Sequence, residues 1–190
     1  MCGRFLILEN SLQQAETIAE IPAWIQGELR FGEIFPSMPA LVLKENAAKN
    51  GLVGDIMKFG YLYEAKNRRI INARAETVEE KWMFKRAFAK NRVVVVCTRF
   101  YEWDAIKQKV SFYEPGETMY LGALAIDDAF VILTKEANAS VADFHHRMPV
   151  IFNGAQARAW VEDKDLASAL LKSVSPMLEH DIPGGQPALF

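Results

Sequence analysis

The sequence is poor in the residues that hold metals and cross-link chains. Its 190 residues include two cysteines, Cys2 and Cys97, and three histidines. The cysteines form no C-x-x-C pair, so they suggest neither a disulfide framework nor a zinc site. No metal and no cofactor is expected. The start of the chain lacks a basic region followed by an apolar run, so no signal peptide is read. No apolar stretch approaches the length of a transmembrane helix. Val93-Val94-Val95-Val96 is a buried strand at most. A cytoplasmic protein without membrane contact is the expectation. Repeats, low-complexity tracts and linkers are also missing.

What is present is a hydrophobic fraction of 51%, enough at this length for one domain over residues 1–190 with a sizeable core. The net charge of −2 gives no hint of nucleic acid, but its distribution does. From Lys44 to Lys109 there are 15 Lys and Arg against 8 Asp and Glu, and the remainder carries 7 against 16. Such a basic middle can build one positive face that attracts phosphates, or it can be a mixed solvated surface.

The patterning alternates short strands with scattered helices. Strands are read at Cys2 to Leu8, Ala40 to Leu43, Leu52 to Gly60, Arg69 to Ala73, Arg92 to Thr98 continuing through Trp103, Val110 to Tyr113, Met119 to Ala125, Phe130 to Leu133 and Pro149 to Phe152. Ser11 with Gln14 resembles a capping box before a helix ended by Pro22. Further helices are expected over Thr77 to Ala89, with Trp82, Ala87 and Phe88 on its apolar side, and from about Ala155 and Asp165. The tail after about Pro176 reads as loosely packed. With no βαβ rhythm, the fold class is α+β and mainly antiparallel.

Four polar clusters sit beside apolar strands. Cys2-Gly3-Arg4 opens the chain. A Cys after the initiator Met can become the true amino terminus, carrying an α-amine of pKa ~7.7–8 and a thiol of ~8.5. That pair can condense with an aldehyde: the amine forms a Schiff base and the thiol closes it to a thiazolidine. Cys2 can equally be a small buried residue at a strand start. Asn72-Ala73-Arg74-Ala75-Glu76-Thr77 joins a strand to a helix. Glu102 lies among aromatics in Phe100-Tyr101-Glu102-Trp103, where burial raises a carboxyl pKa as a general acid requires, unless it faces solvent at an edge. His145-His146-Arg147 precedes Met148-Pro149. Lys58, Phe59 and Tyr61 have the composition of a stacking platform for unpaired bases.

Taken together, Met-Cys-Gly-Arg-Phe, Asn-Ala-Arg-Ala-Glu-Thr, Phe-Tyr-Glu-Trp and His-His-Arg-Met-Pro-Val-Ile resemble the SRAP family, the SOS-response-associated peptidase-like or abasic-site processing proteins. The resemblance spans Cys2 to about Trp160. It implies a single domain with a barrel-like antiparallel β core and peripheral helices. It also implies that Cys2, as amino terminus, forms a thiazolidine with the aldehyde of an abasic site in single-stranded DNA. By motif, Cys2, Asn72, Glu102 and His145 are the expected catalytic residues, with His146 on a variable position. Arg4, Lys58, Phe59, Arg74 and Arg147 are the expected DNA contacts. The expected partner is single-stranded DNA containing abasic sites, met by a monomer in the DNA damage response. Nicking by β-elimination from the Schiff base is a further possible outcome. The alternative is a peptidase or self-processing hydrolase that uses Cys2, with Met1 removal as its minimal action.

Some positions depart from the family's usual pattern. Val96-Cys97-Thr98-Arg99 stands where Pro-Ala-x-Gly is usual, Phe59-Gly60 where Trp-Gly is, Phe35-Pro36-Ser37-Met38 where Ala-Pro-Thr-Gln is, and Lys109-Val110-Ser111-Phe112 where Lys-x-Pro-Tyr is. The nucleophile and its polar partners are kept, while the loops that shape DNA are altered.

Overall fold

A computed structural model describes residues 2–182. In chain order the elements are β1 (Arg4–Ile7), α1 (Glu9–Glu16), β2 (Ala19–Glu20), α2 (Ala23–Glu28), β3 (Gly32–Ile34), β4 (Pro39–Glu45), β5 (Leu52–Phe59), β6 (Tyr61–Tyr63), β7 (Arg68–Ile70), β8 (Asn72–Arg74), α3 (Trp82–Lys90), β9 (Arg92–Cys97) and β10 (Arg99–Trp103). There follow β11 (Lys109–Tyr113), β12 (Met119–Ile126), β13 (Ala129–Glu136), α4 (Ala139–Ala142), β14 (Arg147–Pro149), β15 (Ile151–Phe152), α5 (Gly154–Glu162), α6 (Lys164–Leu171) and β16 (Glu179–Asp181).

The larger sheet closes on itself. Strands β13, β12, β9, β4 and β5 are neighbours in that order, and β5 returns to β13 by a parallel pairing of Lys58 with Ala129 and Phe59 with Phe130. This ring is the barrel-like core, and its pairings are antiparallel apart from the closure and the parallel additions of β2 and β8. β9 is central because Arg92–Cys97 is buried at every position, as a β-branched run covered on both faces must be. The second sheet, ordered β16-β11-β10-β1-β3, holds the amino-terminal strand between two antiparallel partners.

The barrel closure decides the fate of Phe59. Its ring is fully buried, stacked on Phe130 at 5.3 Å and edge-on to Phe5 at 5.5 Å. It therefore cannot be the expected platform for bases, and that expectation is corrected. Gly60 turns the chain away from the barrel with φ +90°, and a Cβ there would lie 2.8 Å from Ile71. Only glycine takes that conformation at no steric cost.

Other readings also change. Ser11 lies inside α1 and shares a hydrogen with Thr98 Oγ1 at 2.6 Å, so no capping box forms. Pro22 starts α2 rather than merely ending α1, as a residue without an N–H can. The run from Arg92 to Trp103 is two strands in different sheets, separated at Thr98. The tail is held beyond Pro176: Leu178 is buried and β16 pairs with β11. Residues 183–190 lie outside the described part.

Candidate active site

Successive residues of a strand face opposite sides of its sheet. In the second sheet Phe5, Phe100 and Phe112 are aligned across three strands and buried, so they mark the inner face. Glu102, two residues after Phe100, shares that face and is only 2% exposed. Tyr101 and Trp103 point the other way. The aromatic sequence neighbours therefore do not enclose Glu102; the inner face does. Expecting a carboxyl pKa raised by burial holds, but the groups that bury it are not Tyr101 and Trp103. Burial raises it, against the opposing charges of the chain's amino terminus and His146.

Two other segments approach Glu102, and a third meets the first of them. Cys2, just before β1, is fully buried, and its thiol donates to the Arg4 carbonyl at 3.8 Å. Burial, and then the nearby Glu102 charge, push that thiol far above the ordinary range. Asn72 is brought in by the parallel pairing of β8 with β13, and its Nδ2 donates to the Cys2 carbonyl at 3.1 Å. Its Oδ1 is buried and accepts no hydrogen bond among the described residues. His145 lies between α4 and β14, with Nε2 3.9 Å from Glu102 Oε2. Its Nδ1 is within 2.9 Å of the Arg147 carbonyl and 3.0 Å of the Arg147 N–H, contacts that fix the ring. Burial lowers the His145 pKa. A carboxyl pushed up and an imidazole pushed down are each biased towards the neutral form, which suits one to give a proton and the other to take one. His146 is exposed and stacks on His145 at 4.6 Å. Among the described residues, no group of three or more His, Cys, Asp or Glu is placed to hold a metal. No helix among them is long and apolar enough to cross a membrane.

A family model for SOS response associated peptidase (SRAP) matches residues 1–183. The chain belongs to the SRAP family. Among SRAP relatives, the abasic site processing protein YoaM of Bacillus subtilis is 26% identical, with 95% of this chain and 87% of that protein aligned. The abasic site processing protein YedK of Escherichia coli is 28% identical over 86% of this chain and 81% of its own. Two solved structures from Bordetella bronchiseptica share the fold. One has TM-score 0.79 at 18% identity, covering 95% of this chain and 99% of that one. The other, a phage-related protein, has TM-score 0.76 at 22% identity, covering 95% and 93%.

The cations expected to contact DNA in this SRAP chain are placed unevenly. Arg74 is exposed at the end of β8 and makes no ion pair among the described residues. Lys58 is exposed and paired with Asp128 at 2.8 Å. Arg4 lies on the outer face of β1, over the rings of Phe35 at 4.2 Å and Trp103 at 5.0 Å, and pairs with Glu33. Lys109 holds the other Glu33 oxygen and lies over Tyr101. Arg147 is mostly buried and already engaged. Its guanidinium grips Glu76 through two bonds of 2.6 and 2.8 Å and the Thr134 carbonyl at 2.5 Å, so it is a strut that fixes the His145 segment. Arg99, the bulky replacement before Phe-Tyr-Glu-Trp, points outward onto Tyr113 and is neutralised by Asp181. Glu33 and Asp181 had no local signal, since their partners lie far away in sequence. Glu76 stood in a quoted motif, and its role could have been suspected there.

Proposed function

We propose that this chain captures abasic sites in single-stranded DNA through a reversible covalent bond to Cys2 once Met1 has been removed. The α-amine attacks the ring-opened C1′ aldehyde and water leaves, giving the Schiff base. The thiol sulfur then adds to the same carbon, and its proton ends on nitrogen, which closes a thiazolidine. Ring opening, dehydration and closure each move a proton, and the Glu102–His145 pair supports all three. The observation that carries this reading is the junction of Cys2 with Asn72 and with the buried Glu102 carboxyl, which has the His145 imidazole beside it. The names of the relatives, which process abasic sites, agree with it. A peptidase thiol needs a depressed pKa, whereas burial and Glu102 raise that of Cys2. The amine-first route needs no thiolate, and the raised Cys2 pKa supports it over peptide hydrolysis.

The test is incubation with a single-stranded oligonucleotide bearing one abasic site, read on a denaturing gel. The parent protein should give a stable band. Cys2→Ser keeps the amine and loses the thiol. It should give a borohydride-trappable adduct or strand cleavage but no stable band. A stable, unreduced crosslink from Cys2→Ser would sink the thiazolidine.

A further inference from the structure

The stacking residue that the sequence suggested at Phe59 is inside the barrel, yet the structure presents another. Trp82 is 75% exposed, which is unusual for the largest side chain, and it opens α3 on the side away from the buried Phe84 and Ala87. Its ring does not hang free. Tyr63, at the end of β6 in the β6–β7 hairpin, meets it edge-on at 6.2 Å and 64°. Two separate elements thus support one indole whose surface is mostly open to solvent.

The surroundings are cationic. Lys81, Lys85, Arg86 and Lys90 are exposed on or just before α3, and residues 81–90 contain no acid. Lys66 and Arg68 are exposed on the hairpin. None of these six forms an ion pair among the described residues. The acids nearby in sequence are Glu64, Glu76, Glu79 and Glu80, of which Glu76 is paired with Arg147 and Glu79 accepts from the Ser168 hydroxyl at 2.9 Å. The chain leaves the active site at Arg74 and reaches Trp82 through one 3-10 turn, Ala75–Thr77.

We propose that Trp82, held by Tyr63, is a base-stacking platform for single-stranded DNA, outside the Cys2 centre and on the strand that carries the lesion. The proposal rests on the reading of the protein as a binder of abasic DNA. An aromatic face takes any unpaired base, and unpaired cations around it take the phosphates by releasing counterions. A protein partner fits less well, because the centres of such interfaces are depleted in lysine.

The experiment uses the full chain and an oligothymidylate without an abasic site, followed by fluorescence anisotropy. Trp82→Ala should weaken binding roughly 5- to 150-fold, and Trp82→Phe should keep most of the affinity. Trp82→Ala removes no charge, so the slope of affinity against salt should not change. The double variant Lys81→Ala/Lys85→Ala should make that slope shallower by about one to two. At saturating abasic oligonucleotide, Trp82→Ala should crosslink at the parent rate with an unchanged melting temperature. Equal affinity of Trp82→Ala and parent overturns the platform alone, as does binding of a polyglutamate peptide that depends on Trp82 while DNA binding does not. Loss of crosslinking at saturation also overturns it, because Trp82 then belongs to the reacting centre. A parent protein that neither binds single strands nor captures abasic sites overturns the proposed function and the platform together.

Discussion

Glu102→Gln separates chemistry from structure at the proposed centre. The substitution keeps the size and shape of a side chain that is 2% exposed on the inner face of β10, opposite Val110 on β11. What it removes is a proton that can leave. General acid–base assistance is typically worth ~10²–10⁴-fold, which is ~2.7–5.5 kcal/mol of barrier. Crosslinking under single-turnover conditions should slow by about that factor, with little change in DNA affinity. The pH profile carries more information than the rate. In the parent, the attacking amine must be neutral, so the rate climbs towards a pKa of ~7.7–8. The carboxyl must be protonated, so the rate falls as pH passes its raised pKa. The variant should lose the falling limb. Stability should move the opposite way. Burial holds the folded pKa of Glu102 above its unfolded value of ~4.3, so the neutral form's contribution is complete below about pH 4. It is lost as pH rises through the folded pKa. Glu102→Gln escapes that loss and should be at least as stable as the parent at pH 7–8. Crosslinking at the parent rate, or an unchanged profile, refutes the acid role. Lower stability at neutral pH refutes the account of its burial.

His145→Ala should slow both capture and release of a preformed crosslink, because the 3.9 Å approach to Glu102 is lost. His146→Ala, exposed and stacked outside His145, should do neither, and rates for the two variants over pH 5–8 would show it. Phe59→Ala should cost ~3–5 kcal/mol by emptying the space between Phe5 and Phe130. At about 2–4 °C per kcal/mol, the melting temperature should drop by roughly 6–20 °C. A selective loss of DNA affinity without that drop would restore Phe59 as a base contact.

The strands of the barrel were legible because their apolar and β-branched runs are long and end in clear turns, as at Asn46 to Gly51 between β4 and β5. The break at Thr98 was not. No Gly or Pro marks it, and it is set by distant groups: Thr98 donates its N–H to the Leu6 carbonyl, while its hydroxyl oxygen accepts from the Leu8 N–H. Phe59 has the local composition of a nucleic-acid contact, and only the parallel closure onto Phe130 shows why it is core. Trp82 fits an apolar helical stripe until α3 is seen to begin at that very residue. The four residues proposed to carry the chemistry stand in the quoted motifs, and the fold brings them towards one another. The groups that bury Glu102 were not legible, since sequence neighbours on a strand look away from each other.

The place of β1 has a consequence for the order of events during synthesis. β3 follows β1 by about thirty residues, but the partner on the other side, with Arg4 paired to Tyr101 and Phe5 to Phe100, comes about ninety-five residues later. At ~5–20 residues per second, that delay is on the order of 5–20 s. Afterwards Cys2 is fully covered. For the proposed capture an aminopeptidase has to reach the bond before Cys2, and Cys2 is open to it while the ribosome is still working. Slower translation through the middle of the message should raise the share of chains with a free Cys2, and faster translation should lower it.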